Sequence, residues 1–136
     1  MKQIKTSTEK PPHFWIMEKV FKCDWNRTAF AFGDTIYSKY TLPDHLIAHE
    51  KTHLEQQCHS FMVAWVWLLL YLVSKKFRYA VELKAYQKQY QFFCEHYTFN
   101  DREPFVRKLA SDLASPLYGN ITSFSGAIRA IKYGEK

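Results

Sequence analysis

A chain of 136 residues is one ordinary domain's worth of sequence, too short for two independent hydrophobic cores, so we read residues 1–136 as a single domain. An aromatic share of 18% points to a heavily packed interior, and the formal charge of +6 comes from scattered Lys and Arg with no run or motif that would read nucleic acid. Cys23, Cys58 and Cys94 are too far apart for a disulfide framework or a C-x-x-C metal knuckle, and residues 1–12 are polar with no apolar run behind them, so the expectation is free thiols in a cytoplasmic protein.

Residues 1–12, which include the Pro11-Pro12 pair, read as a flexible or extended lead-in. Between positions 28 and 40 two short alternating runs flank Gly33-Asp34, the pattern of a hairpin at the edge of a small sheet. Pro43 and Asp44 then mark a helix start, because Pro is tolerated in a first turn and Asp suits the positive end of the helix dipole. That helix is expected to run through Gln57.

Residues 61–73 carry no charge and no amide side chain, and Lys75-Lys76 follow. A membrane span needs about 20 apolar residues, so the expectation is a buried core helix. The rival places this segment at a membrane surface with Lys75, Lys76 and Arg78 at the headgroups. Tyr79, Glu82, Tyr86, Tyr90 and Phe93 recur at intervals of three and four, which predicts a long helix over 76–97. Two shorter helices, over 101–114 and 123–133, are expected on either side of a Ser-Pro-Leu-Tyr-Gly-Asn loop. The expected fold class is α+β, mainly α.

The chemistry concentrates in His49-Glu50-Lys51-Thr52-His53, an H-E-x-x-H string. Four residues advance a helix by about 400°, so both imidazoles leave the same face at a spacing suited to one metal ion. Glu50 lies about 100° around the helix from His49, where its carboxylate can reach a water in an open coordination position and act as general base. Zinc suits the pair, because it accepts imidazole and carboxylate ligands and lowers the pKa of a bound water to about 7.

A catalytic zinc takes three protein ligands, and His59, Glu82 and a distant residue such as His96 compete for the third place. His59 has the spacing of the metzincin pattern, but Gln56 stands where that pattern has a glycine to turn the chain. On a continuing helix His59 would be rotated by about 240° net and carried about 9 Å along the axis. Glu82 shares an apolar face with Tyr79 and Tyr86, where an unpaired carboxylate would be costly and a cation is the natural partner. Ala85, one turn on, offers the small side chain that a close helix approach requires.

H-E-x-x-H followed some tens of residues later by Glu82-x-x-Ala85 resembles the gluzincin metallopeptidases, especially the minimal single-domain putative peptidases of bacterial and phage genomes. The resemblance covers roughly residues 28–90 and implies a zincin-like fold, zinc held by His49, His53 and Glu82, Glu50 as base, and peptide or protein substrates. It also implies an edge strand, here residues 35–37, that aligns an extended substrate by strand addition. Tyr86, His96 and Tyr118 are open candidates for steadying an oxyanion, and His45, one turn before His49, can line the cleft. The rival functions are a non-catalytic binding protein on the same scaffold and the membrane-associated protein described above.

Overall fold

The computed structural model describes residues 4–134 and has the expected class, mainly helical with one small sheet. The chain divides into two compact units, Met1–Leu68 and Leu69–Lys136.

The first unit holds a three-stranded sheet of β1 (Lys5–Ser7), β2 (Phe30–Phe32) and β3 (Thr35–Tyr37), ordered β1-β3-β2. The hairpin is where the alternating runs place it. Phe30 pairs with Tyr37 and Phe32 with Thr35, and Gly33 turns the chain at φ +67°, in the left-handed region that glycine enters without steric cost. β1 adds to β3 in parallel, Lys5 opposite Thr35 and Ser7 opposite Tyr37. This corrects the expectation for residues 35–37: β3 is the central strand, paired on both sides, and cannot receive a substrate strand.

Alternation along β2 gives the sheet two faces. Ala31 and Ile36 turn to one side and pack with Leu54 of α2 (Asp44–Gln56). Phe30 and Phe32 turn to the other, where His13 stacks on Phe32 at 4.6 Å between ring centroids and meets Phe30 edge-on at 5.5 Å. His13 immediately precedes α1 (Phe14–Phe21), a helix with no counterpart in the sequence reading. Its buried residues are Phe14 and Met17, three positions apart on one face.

α2 starts at Asp44 behind an extended Pro43 and ends at Gln56 with Gln57 as its C-cap, within one residue of the expected end. His59 N–H bonds the Leu54 carbonyl and Cys58 N–H bonds the Glu55 carbonyl, both at 3.0 Å, which together form a Schellman stop. Cys58 takes φ +55° and His59 φ +50°, so the chain turns without a glycine. The amide of Gln57, fully buried, then reaches the hairpin: Nε2 donates to the Ala31 carbonyl at 3.1 Å and Oε1 accepts from Gly33 N–H at 2.7 Å.

α3 (Phe61–Val73) follows, and the division between the units falls inside it. Ala64, Leu68 and Tyr71 are buried, whereas much of the rest of the helix is exposed, so it is not the fully buried core helix expected. In the second unit, Ser74 caps α4 (Lys75–His96), its hydroxyl accepting from Phe77 N–H at 3.1 Å. α4 packs with α5 (Phe99–Leu113) and α6 (Phe124–Tyr133) around Leu83, Tyr86, Val106, Leu109, Leu113 and Ile131. A 3-10 turn, Pro116–Tyr118, sends Tyr118 into the same core.

Candidate metal centre

His49 and His53 stand one turn apart on α2, their rings 5.0 Å apart between centroids and nearly perpendicular. Both are buried, as are Glu50 and Thr52 on the same helix. Thr52 satisfies its hydroxyl on the Ala48 carbonyl at 2.9 Å, which keeps a polar group within the helix's own backbone.

Gln56 orients the second imidazole. Its Oε1 lies 2.9 Å from His53 Nδ1 and 3.3 Å from the indole N–H of Trp67. An amide oxygen only accepts, so Nδ1 carries the proton and the lone pair sits on Nε2, one of the two arrangements in which a neutral imidazole binds a metal. The Trp67 ring also meets His53 edge-on at 5.3 Å. Sequence reasoning weighed Gln56 only as a missing glycine. Its spacing of three from His53, one helical turn, was the available signal.

In the second unit Glu82 is buried on α4, as its apolar flank predicted. Tyr71 donates its hydroxyl to Glu82 Oε2 at 2.6 Å. Burial, with the neighbouring Glu82 carboxylate, holds the Tyr71 phenol well above its ordinary pKa, so it remains a donor. Tyr118 is raised in the same direction, first by burial and then by the charge of Glu82, and it hydrogen-bonds Tyr86. Arg78 is buried as well, donating through Nη1 to the Tyr71 carbonyl at 2.7 Å and through Nε to the Leu117 carbonyl at 2.9 Å. It is therefore committed to the protein interior and not to the headgroup position considered for it.

One ligand atom each from His49, His53 and Glu82 lies within 4.8 Å of the others, and all three residues are buried, so they form a group that can hold a metal ion. The donor set of two imidazoles and a carboxylate fits a borderline cation with an open position. His59 and His96 do not belong to this group. His59 is half-buried beyond the end of α2, and His96 is exposed at the end of α4, stacked on Phe92, with Nδ1 against the Phe92 carbonyl at 2.9 Å. Of the other sequence candidates, Tyr86 and Tyr118 are buried beside each other, and His45 is half-buried on α2.

The first unit also has a cleft of about 580 Å³ lined by Thr6, Ser38, Lys39, Tyr40, Leu42 and Ile47. Tyr40 lies close enough to Glu50 to feel it: burial first, then the Glu50 charge, raises the phenol's pKa.

These features define an α+β, mainly helical protein with a buried His-His-Glu group. No family model, curated protein or solved structure matches the chain.

Proposed function

We propose that the chain is a zinc metallopeptidase that hydrolyses internal peptide bonds, with His49, His53 and Glu82 as the metal ligands and Glu50 as general base. The observation that carries this reading is the buried donor set. Two imidazoles and a carboxylate, their ligand atoms within 4.8 Å, would be costly to bury together without a cation. Zinc bound there would supply Lewis acidity and bring a water's pKa toward neutrality.

The chain's own residues account for the rest. Gln56 holds the His53 tautomer that presents Nε2, and Tyr71 fixes one oxygen of Glu82. Glu50, next to His49 and buried, takes a proton from the attacking water and returns it to the departing amine. The cleft lined by Thr6, Ser38 and Tyr40 is assigned to substrate, because Tyr40 on its wall feels the charge of Glu50.

The test is hydrolysis of an unstructured protein by the wild type and by Glu50→Gln, with zinc content measured in both. Wild-type cleavage, with zinc retained and cleavage lost in Glu50→Gln, is the expected result. Equal activity in the two proteins would refute the assignment of Glu50. A wild type that binds zinc but cleaves nothing would leave a metal-binding protein without the proposed activity.

A further inference from the structure

α3 has no charged or amide side chain in its thirteen residues. Phe61, Met62, Trp65, Val66, Leu69, Leu70 and Val73 are nevertheless exposed, Met62 at 80% and Val73 at 72%. At about 100° per residue these positions fill one continuous arc of about 180°, while Ala64, Leu68 and Tyr71 cluster within about 60° on the other side. Phe61 and Trp65, at one margin of the arc, also meet Phe32 edge-on; exposed apolar residues scattered singly need no explanation, but a contiguous apolar half of one helix forms a surface with a purpose.

The width of the arc and the charge beside it distinguish the occupants. A helix from a second copy would seat on a narrow seam of alternating positions three and four apart, flanked by polar side chains. Half a circumference without polar side chains is the form of a helix lying flat at the boundary between headgroups and acyl chains. No single described helix is long and apolar enough to cross a membrane, and thirteen residues extend only about 20 Å. Lys75 and Lys76 are exposed immediately beyond the last apolar turn, and the whole chain carries +6, a sign that suits anionic headgroups.

We propose that α3 is a membrane-docking helix that lays its exposed half into the surface of an anionic bilayer. The proposal does not depend on the metal reading, since none of the seven exposed residues belongs to the ligand group. The 136-residue chain is to be sedimented with vesicles of phosphatidylcholine alone and of phosphatidylcholine mixed equally with phosphatidylglycerol. The same assay is applied to Met62→Gln/Val66→Gln/Leu69→Gln and to Lys75→Gln/Lys76→Gln, with circular dichroism to verify folding and analytical ultracentrifugation to give the oligomeric state.

The expected result is binding to the phosphatidylglycerol vesicles that weakens about tenfold or more in the triple variant and also falls in the lysine variant. The lysine variant carries the test if the triple variant does not fold. Absence of wild-type binding, or binding that neither variant changes, overturns the proposal. Equal binding to uncharged vesicles overturns the anionic assignment. A wild-type dimer that the triple variant dissociates, with no lipid binding, assigns the surface to a second copy instead.

Discussion

Tyr71 and Glu82 share a hydrogen bond of 2.6 Å between two buried side chains, the tyrosine hydroxyl donating to carboxylate Oε2. Such a contact fixes one oxygen of the carboxylate and so restrains the ligand. Outer donors of this kind typically contribute a factor of 10 to 100 in metal affinity. Tyr71→Phe keeps the ring and removes only the donor, so its zinc affinity should fall about tenfold with the fold intact. Competition against a chromophoric chelator measures this, and an unchanged affinity would show that Tyr71 serves packing alone.

His13 makes the first unit sensitive to acid. Burial among Phe30 and Phe32 lowers its pKa from 6.5 to about 4, and its Nδ1 has no hydrogen-bond partner among the described residues. Between those two values the unfolded chain holds a proton on His13 that the folded chain lacks. Stability is therefore undiminished above about pH 6.5, falls as the pH drops, and has lost the full amount below about pH 4. The loss amounts to about 3 kcal/mol. His13→Leu should flatten that part of the profile in urea unfolding with chelator present; an equal slope in both proteins would assign the acid sensitivity to other groups.

Cys58 occupies the left-handed position of the stop that ends α2, at φ +55°, where stops of this kind usually have glycine. A side chain there costs about 1–2 kcal/mol, partly offset in a glycine variant by the greater freedom of its unfolded chain. Cys58 is exposed, so little packing is lost with it. Cys58→Gly should stabilise the protein by about 0.5–1 kcal/mol in chemical denaturation. Destabilisation would mean that the thiol makes a contact worth more than the strain.

Gln57 is fully buried and spends both ends of its amide on the hairpin. Gln57→Leu keeps the bulk but leaves Gly33 N–H and the Ala31 carbonyl without that partner. At about 1–3 kcal/mol for each buried polar group left unmade, the cost should be about 3 kcal/mol. A shift in the urea midpoint at constant slope reports it, and a cost under about 1 kcal/mol would indicate that water replaces the amide.

The parts legible in the sequence were those with a local cause. Gly33-Asp34 between alternating runs specified the hairpin, Pro43-Asp44 the start of α2, and the recurrence from Tyr79 to Phe93 the course of α4. Glu82 was legible because an acid on an apolar face calls for a partner, and it is buried. What escaped depended on distant pairing. Lys-Thr-Ser in β1 has no alternation of its own and becomes a strand only through its register with β3, which also moves residues 35–37 from the edge to the centre. The end of α2 was legible to within a residue, but the way the chain turns there was not, because neither Cys58 nor His59 advertises a left-handed backbone. The exposed half of α3 escaped because a uniformly apolar segment has no periodicity to tell its two sides apart.

The amide of Gln57 has a consequence for the sheet as a template. A neighbouring parallel strand would bond the carbonyl and the N–H on either side of Phe32, and those are the two groups that this side chain engages. One glutamine thus impersonates a residue of a fourth strand and seals β2 against pairing with foreign chains, protection that edge strands otherwise obtain from charge, proline or a bulge. Among the described residues, the outer side of β1 is then the margin of this sheet left for an extended chain to join.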